Sequence, residues 1–252
     1  MCLLLIALDV VPQRPVLLLG NRDEFHARPS APAAPWAEAP QVVGGRDLEA
    51  GGSWLALRRD GRFAAVTNVR LADPRHGPRS RGALVRDFVL GHDAPDAYVA
   101  QLRRRHGDFA PFNLVVGDAR SVWCLESPRD RARRLAPGVH LVSNGPLDAP
   151  WPKMERLRAG FCRTLAAAAG AAPRDECLLD LLRDATPAAD AQLPDTGIPR
   201  ERERLLSAIF VRGEAYGTRA STLAWRAADV GIGLVERRFG RAGAAQGETR
   251  LT

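Results

Sequence analysis

The residue with the greatest chemical potential is the second of the chain. Cys2 follows Met1, and its small side chain is of the kind that permits removal of the methionine. Cys2 would then carry a thiol and a free α-amine on one carbon, which gives a nucleophile and a base in one residue. The reference pKa of an α-amine is about 7.7–8.0, against about 10.4 for lysine, so a useful fraction is unprotonated near neutral pH. The alternative is that Cys2 is a small hydrophobic residue on a buried strand.

A second polar group lies at Asn21-Arg22-Asp23-Glu24, directly after an apolar run. A reactive thiol needs a nearby cation that favours the thiolate, and a protonated amine needs a carboxylate that holds it. Arg22 and Asp23 supply both charges. The alternative is that the four residues form a solvated turn.

The two groups meet if the chain start is a hairpin. Leu3–Leu8 and Val16–Gly20 are apolar runs typical of strands, and Pro12-Gln13-Arg14-Pro15 between them is a strong turn signal. An antiparallel return would bring Arg22 and Asp23 beside the chain start. Adjacent residues of a straight strand point to opposite faces, so these two can share one site only if the chain turns there.

The same residues resemble the signature of the NRDE family, also called the transport and Golgi organisation protein 2 family. Four further segments carry this resemblance: Gly51-Gly52-Ser53-Trp54-Leu55-Ala56, Thr67-Asn68-Val69-Arg70, Phe112-Asn113-Leu114 and Ser143-Asn144-Gly145-Pro146. The matching segments run from Met1 to Tyr216–Thr222 and so cover nearly the whole chain. The family in turn is similar to N-terminal-nucleophile hydrolases of the choloylglycine hydrolase type, which cleave amides.

The resemblance implies an α+β fold, a four-layer αββα sandwich of two antiparallel sheets. It also implies a catalytic set, namely Cys2, Arg22, Asp23, Asn68, Asn144 and Arg219. Cys2 is the nucleophile, and Arg22 and Asp23 orient and polarise it. Asn68 helps to form the oxyanion hole, where each preorganised donor is worth roughly 3–4 kcal/mol of barrier. Asn144 and Arg219 resemble a second site asparagine and a late-strand arginine. The alternatives are that both asparagines are turn residues at strand ends and that Arg219 pairs with a core carboxylate.

Five further residues are predicted to contact a substrate, namely Asn21, Glu24, His26, Trp54 and Trp151. Asn21 and Glu24 belong to the signature. His26 follows it in a loop, where the alternative is a solvated histidine. Trp54 and Trp151 could line an apolar pocket for an acyl chain or a tetrapyrrole, and core packing is the alternative for Trp54.

The composition is that of an ordinary globular chain. Its 252 residues are 46% hydrophobic and 26% charged, which suits a single domain over residues 1–252, with residues 240–252 as a flexible tail. The net charge is +7, although Lys153 is the only lysine. We interpret the arginine clusters Arg103–Arg105 and Arg131–Arg134 as solvated faces, because no nucleic-acid-binding motif accompanies them. We therefore expect no specific nucleic-acid partner.

The cysteines and apolar segments indicate a cytoplasmic chain. Cys124, Cys162 and Cys177 form no CxxC pair and no disulfide-type spacing, and each is expected to be a buried small hydrophobic residue. No apolar run is long enough to span a membrane, and the chain start lacks the basic region of a signal peptide. We predict no metal site and no required cofactor.

The remaining pattern predicts a mixture of strands and helices. Phe25–Pro40 is rich in Pro and Ala and is expected to be a long loop. Hydrophobic periodicity and capping signals predict the helices Gly82–Leu90, Pro95–His106, Lys153–Ala169, Glu176–Asp184 and Arg200–Ser207. Strands are expected at segments such as Phe112–Val116, Val122–Glu126 and Tyr216–Ala227.

Together these features predict a cysteine-dependent amidohydrolase or acyltransferase that acts on a small amide or thioester. The alternative is a non-enzymatic carrier or homeostasis protein for haem or an acyl lipid, a ligand class that the family resemblance implies. None of the five histidines stands in an axial-ligand motif for haem. A third hypothesis, binding of an anionic polymer by the arginine excess, predicts salt-dependent retention on nucleic acid. No oligomeric state is predicted.

Overall fold

The structure is a computed structural model that describes residues 3–72, 76–228 and 231–252, so Met1 and Cys2 lie outside the described residues. Antiparallel β-structure forms its two central layers. The strands are β1 (Leu3–Val11), β2 (Arg14–Phe25), β3 (Ser30–Trp36), β4 (Ala39–Asp47), β5 (Leu55–Arg58), β6 (Phe63–Asn68), β7 (Phe112–Gly117), β8 (Val122–Glu126), β9 (Arg131–Arg134), β10 (Gly138–Val142), β11 (Tyr216–Ala227), β12 (Gly231–Phe239) and β13 (Ala245–Leu251).

The strands form two sheets. The six-stranded sheet has the order β10-β1-β2-β11-β12-β13, and the seven-stranded sheet has the order β3-β4-β5-β6-β7-β8-β9. The seven-stranded sheet follows the chain order, whereas the six-stranded sheet inserts β1 and β2 between strands from the second half of the chain. β2 therefore lies inside its sheet, between β1 and β11, and the predicted signature is on an interior strand.

The helices cover the outer faces of both sheets. They are α1 (Gly82–Leu90), α2 (Pro95–Arg103), α3 (Pro152–Ala167), α4 (Asp175–Leu181) and α5 (Arg200–Leu205), which confirms the five predicted helices, the last four with shifted ends. α1 and α2 pack on the seven-stranded sheet, and α3 and α4 pack on the six-stranded sheet. The predicted four-layer αββα sandwich is confirmed. No helix of the described segments is long and apolar enough to cross a membrane.

Alternation along β1 and β2 divides their apolar residues between two cores. Leu4 and Leu18 point into the core between the sheets, whereas Leu5 and Leu19 pack on the side of α3 and α4. A strand that is buried on both faces reads as a nearly continuous apolar run, and this accounts for the sequence of the first strand.

The predicted hairpin at the chain start is confirmed. β1 and β2 are antiparallel neighbours, and Leu3 lies opposite Asn21. The turn between the strands contains Gln13 in the left-handed region, with φ of 62°. Leu3 is the first described residue and follows Cys2 directly in the sequence. β1 therefore begins one peptide bond after the predicted nucleophile.

The segment Phe25–Pro40, expected to be a loop, instead contains β3 and the start of β4. β3 is an edge strand of the seven-stranded sheet, where proline is tolerated because one side of the strand has no ladder hydrogen bonds to make. Its pairing with β4 shifts register between Ala31 and Ala34 and again between Pro35 and Trp36. The Pro-rich composition therefore marks an irregular edge strand.

Two further expectations are wrong. Within the expected flexible tail, residues 240–252, the chain forms β13, because a ladder with β12 satisfies its backbone groups. Cys162 and Cys177 are exposed, since they lie on the solvent side of α3 and α4. Cys124 is buried as expected, and burial raises the pKa of its thiol to about 12.

A carboxylate holds the loop that carries Asn144. Asp148 adopts a left-handed conformation with φ of 57°. Its Oδ1 accepts hydrogen bonds from the Leu141 N–H and from Arg158 Nη2, both at 2.8 Å, and its Oδ2 lies 2.9 Å from His140 Nδ1. Burial raises the pKa of Asp148, but these hydrogen bonds lower it by more, to about 2. The connection from β10 to α3 is therefore held by an ionised carboxylate.

We expect Asp148→Asn to lower the free energy of unfolding near neutral pH by on the order of 1 kcal/mol. The amide tolerates the left-handed conformation but loses the charge, and solvent screens part of the effect because 33% of the side chain is exposed. The pKa of Asp148 is lower in the folded than in the unfolded chain, so the stabilisation is complete above about pH 5 and is lost as the pH falls through about 4 towards 2. Chemical denaturation at several pH values measures it, and a pH-independent difference would contradict an electrostatic origin.

Candidate active site

Five of the predicted site residues line one cavity of about 670 Å³, named here the main cavity. They are Arg22, Asp23, Glu24, Trp54 and Asn68. The first three come from β2 of the six-stranded sheet, and Asn68 ends β6 of the seven-stranded sheet. Residues 76–82, before α1, supply further walls. The sandwich therefore brings residues that are distant in sequence to one opening between its two sheets.

Arg22 and Asp23 occupy adjacent positions of β2 and contact different partners. The guanidinium carbon of Arg22 lies 4.4 Å from the ring centroid of Trp54, and its Nη2 lies 4.0 Å from Glu24 Oε2. Asp23 Oδ1 accepts a hydrogen bond of 2.6 Å from Thr218 Oγ1. Both residues are nearly fully buried, so the alternative of a solvated turn is wrong.

A bulge in the neighbouring strand accompanies this pair. The ladder between β2 and β11 matches Thr218 with Asp23 and Ala220 with Arg22, so Arg219 is an extra residue. A bulge bends a strand and increases its local twist. No turn separates Arg22 from Asp23, because β2 runs on to Phe25 and the irregularity lies in β11.

Asn21 lies on the other face of β2, towards the helices. It is fully buried, and its Nδ2 donates to the carbonyl oxygens of Leu182 at 2.9 Å and Ile209 at 2.7 Å. Its Oδ1 accepts a hydrogen bond of 2.6 Å from Ser221 Oγ. The amide thus connects β2 to β11 and to two segments of the helical layer. Asn21 is not among the described residues that line the main cavity.

Glu24 and His26 follow at the end of β2. Glu24 lines the main cavity, and its Oε1 accepts a hydrogen bond of 2.9 Å from the Phe25 N–H. His26 Nε2 lies 3.1 Å from the carbonyl oxygen of Gly213, and since a carbonyl only accepts, this nitrogen carries the proton. His26 is held against the segment before β11 and, among the described lining residues, does not contribute to the main cavity.

A buried chain of hydrogen bonds links Asn68 to α5. Asn144 Nδ2 donates to the main-chain oxygen and to Oδ1 of Asn68, each at 3.0 Å. Asn144 Oδ1 accepts a hydrogen bond of 3.2 Å from Arg70 Nη2. Arg70 Nη1 forms a buried ion pair with Glu203, and Glu203 Oε1 also accepts the Thr196 N–H at 3.1 Å.

This chain determines how each amide points. A guanidinium has donors only, so Asn144 turns Oδ1 towards Arg70 and Nδ2 towards Asn68. Asn68 then presents Oδ1 to Asn144, and its Nδ2 is the arm directed away from Asn144. Because Asn68 lines the main cavity, its amide can supply an N–H donor there, as an oxyanion hole requires.

Asn144 and Trp151 line a second cavity of about 290 Å³, the tryptophan cavity, together with Arg70. The guanidinium carbon of Arg70 lies 5.4 Å from the ring centroid of Trp151. Gly145 packs so closely on this ring that a Cβ there would lie 2.4 Å from it. The two predicted tryptophans therefore line different cavities, because Trp54 is buried beside Arg22 at the main cavity.

Arg219 lines a third cavity of about 440 Å³, the arginine cavity, which shares Arg22 and Trp54 with the main cavity. Arg219 Nη1 donates to the carbonyl oxygens of Phe25 at 3.0 Å and Arg28 at 2.9 Å. No described carboxylate pairs with Arg219, against the alternative of a core ion pair, and carbonyl groups at the end of β2 and just after it accept its hydrogen bonds instead.

A buried carboxyl group also lines the arginine cavity. Glu236 of β12 is 2% exposed, and its Oε1 accepts a hydrogen bond of 2.8 Å from the Ala33 N–H. Burial raises the pKa of Glu236, whereas this hydrogen bond and the charges of Arg238 and Arg22 lower it by less. The carboxyl group therefore holds its proton more strongly than an exposed glutamate does.

Sequence reasoning missed Arg70, Asn113 and Glu203. Arg70 ends the segment Thr67-Asn68-Val69-Arg70, in which only Asn68 is predicted to be a site residue. Asn113 interrupts the apolar run of β7, which is a usable signal, and its Nδ2 donates to the Gly145 carbonyl oxygen at 2.8 Å. Glu203 stands in an alternating Arg-Glu pattern that is indistinguishable from a solvated helix.

The chain matches a known family over most of its length. The family model described as Transport and Golgi organisation 2 matches residues 1–241. The chain belongs to this family. A Transport and Golgi organization protein 2 homolog of Bos taurus is 32% identical over 238 residues, which are 88% of this chain and 86% of the relative. The homolog of Homo sapiens is 31% identical over the same shares.

Two solved structures have a similar fold. An N-acylethanolamine-hydrolyzing acid amidase ortholog of Caenorhabditis elegans has a TM-score of 0.51 at 13% identity, covering 88% of this chain and 92% of that one. A mutant conjugated bile acid hydrolase of Clostridium perfringens has a TM-score of 0.52 at 9% identity, covering 100% and 92%. At sequence identities this low, the similarity shows a shared fold and nothing more. The predicted family is confirmed, and the similarity to these two hydrolases is confirmed for the fold.

We expect Asn21→Ala to lower the free energy of unfolding by at least about 2 kcal/mol, because it leaves buried carbonyl groups and a hydroxyl without partners. Chemical denaturation measures this change. Glu24→Ala, at a side chain 28% exposed on the same strand, is the control and should stay within about 0.5 kcal/mol of the parent. An Asn21→Ala protein of parental stability would contradict a structural role and favour the predicted substrate contact.

We expect Glu236→Gln to raise the free energy of unfolding near neutral pH. The pKa of Glu236 is higher in the folded chain, so ionisation opposes folding once the pH exceeds the ordinary glutamate pKa of about 4.3. The amide keeps an acceptor for Ala33 and carries no charge. The gain should shrink as the pH falls to about 4, where the carboxyl group is neutral in both states.

Glu248→Gln on β13 is the matched control for this experiment. A hydrogen bond from Arg237 lowers the pKa of Glu248, so its neutralisation should decrease stability near neutral pH. Denaturation curves of both variants across the pH range test the opposite signs. The account of Glu236 is wrong if its variant behaves as the Glu248 variant does.

Proposed function

We propose that this chain is a cysteine-dependent N-terminal-nucleophile hydrolase that cleaves an amide or a thioester, with Cys2 as its nucleophile. The observation that carries the proposal is the start of β1. Leu3, one peptide bond after Cys2, pairs with Asn21, and the next residues of β2, Arg22 and Asp23, line the main cavity. The fold that the chain shares with an acid amidase and a bile acid hydrolase supports the same class of reaction.

In the first proposed step, Cys2 Sγ attacks the substrate carbonyl carbon. The thiol proton passes to the α-amine of Cys2, and the carbonyl oxygen becomes an oxyanion. The guanidinium of Arg22 favours the thiolate, and the carboxylate of Asp23 favours the ammonium. Asn68 Nδ2 is the proposed donor to the oxyanion, a role worth about 3–4 kcal/mol of barrier.

In the second step, the ammonium returns its proton to the leaving nitrogen or sulfur as the carbon–heteroatom bond breaks. The acyl group remains on Cys2 Sγ as a thioester. Water then attacks the thioester while the α-amine takes its proton, and the acid leaves as the thiol is restored. Attack by an amine in place of water would give acyl transfer.

The geometry supports different roles for Asn144 and Arg219 than the family resemblance implies. Asn144 Nδ2 is engaged by Asn68, so we propose that Asn144 is a positioning residue that orients the oxyanion donor. Arg219 is bound to the carbonyl groups after β2, and we propose that it positions this segment beside the arginine cavity. The carrier role for haem or an acyl lipid stays a prediction.

The first test is whether Met1 is removed and whether Cys2 is required for turnover. We expect the intact mass of the purified protein to lack Met1. In a panel of N-acyl amides and acyl thioesters, we expect Cys2→Ala to lower kcat by at least about a thousandfold, because it removes the nucleophile. Cys2→Ser should retain a weak activity, since a hydroxyl is a poorer nucleophile than a thiol.

Cys162→Ala and Cys177→Ala are matched controls, because both thiols are exposed on helices outside the main cavity. They should keep the parental rate. Circular dichroism and thermal denaturation verify that each variant is folded. Parental turnover by folded Cys2→Ala, or full retention of Met1 in an active protein, would refute the mechanism.

A further inference from the structure

The arginine cavity has an unusual distribution of charge. It lies where β3 packs against β12 and β13, and three guanidinium groups line it, from Arg22, Arg219 and Arg238. Glu236 is the one acidic residue among its described lining. The lining is thus positive even when Glu236 is ionised, and it is more positive when Glu236 holds its proton.

Two of these arginines form no direct ion pair with a carboxylate of the described residues. Among the described residues, neither Arg219 nor Arg238 has a carboxylate oxygen within 4.0 Å. Arg219 donates to carbonyl groups, and Arg238 Nη1 donates to Thr249 Oγ1 at 2.7 Å. Arg237, the next residue of the same strand, is instead paired with Glu248 at 2.8 Å and with Asp180 at 3.2 Å. Within the part of the chain that the structure describes, Arg237 is thus directly ion-paired, whereas Arg238 is near only the buried Glu236 and has no direct ion pair.

We infer that the arginine cavity binds the oxyanion group of a small organic molecule, a carboxylate or a phosphate. A planar guanidinium donates two parallel hydrogen bonds to either group, and partly buried walls strengthen the attraction. The volume of about 440 Å³ suits a small ligand, and Pro32, Ala220 and Trp54 supply apolar surface for its carbon skeleton.

The shared wall gives this site a role in the proposed reaction. Arg22 and Trp54 line both the arginine cavity and the main cavity, so a molecule whose charged end lies near Arg238 could extend to the proposed site of attack. The substrate would then be an anionic amide or thioester. This assignment as a substrate subsite rests on the proposed function, whereas the binding of an oxyanion does not.

The first experiment needs no change in the cavity. Hexanoate, hexanamide and inorganic phosphate are titrated into the full-length Cys2→Ala protein, so that no turnover interferes, and binding is measured by calorimetry or NMR. Hexanoate and hexanamide have the same skeleton and differ in charge. We expect hexanoate to bind at least about tenfold more tightly than hexanamide, and this preference to decrease as salt is added.

The phosphate titration distinguishes the two sources of the oxyanion. Tighter binding of hexanoate assigns the cavity to carboxylates, and tighter binding of phosphate assigns it to phosphoryl groups. Equal affinity for hexanoate and hexanamide without phosphate binding would overturn the inference, and so would the absence of binding by all three probes. Turnover by the parent protein is assayed separately, so failure of the hydrolase proposal and failure of this inference are distinguishable.

A pair of variants locates the site. Arg238→Gln removes a cavity charge, and Arg237→Gln removes the same charge from the other face of β12. We expect Arg238→Gln to weaken binding of the preferred anion by at least about tenfold and Arg237→Gln to leave it within about twofold. Thermal denaturation confirms that both variants are folded. A loss caused by Arg237→Gln and not by Arg238→Gln would place the anion elsewhere and refute the inference.

Discussion

The buried ion pair between Arg70 and Glu203 determines the polar geometry of the site. Removing charges from water is costly, and a lone partner left in such a pair costs about 3–5 kcal/mol, so the guanidinium is held where Glu203 holds it. Arg70 can only donate, which orients Asn144, and Asn144 in turn orients Asn68. Through this chain, a residue of α5 orients the side-chain amide of Asn68, although α5 contributes no atom to the proposed reaction.

A second constraint is the wall between the main cavity and the arginine cavity. Trp54 fits there because Gly45 has no Cβ, which would lie 2.3 Å from the indole. The ring then supports Arg22 through a cation–π contact. Both residues belong to both cavities, so in the proposed reaction the guanidinium of Arg22 would act on the thiol of Cys2 and on the inferred anion. The spacing of these groups limits which molecules could occupy both cavities together.

The sequence was sufficient for the elements with a strong local signal. Leu3–Leu8 and the turn after it predict the first hairpin, and the signature predicts the family and hence the sandwich. The sequence was insufficient where tertiary contacts determine the structure of a segment or the role of a residue. Phe25–Pro40 has the composition of a loop, but much of it forms an edge strand. Asn21 belongs to the signature, but its side-chain amide donates hydrogen bonds to the helical layer and not to the main cavity. The role of Glu203 depends on its ion pair with Arg70, which lies far from it in the sequence.

The bulge in β11 lies opposite the adjacent residues Arg22 and Asp23, which both line the main cavity. Side chains alternate along a strand, and a shift of one residue exchanges the two faces. Thr218 pairs with Asp23 before the bulge, and Ala220 pairs with Arg22 after it, so Arg219 is the residue that has no ladder partner in β2. The inserted residue Arg219 therefore brings a guanidinium to the arginine cavity, and Arg22, opposite Ala220, lines both cavities.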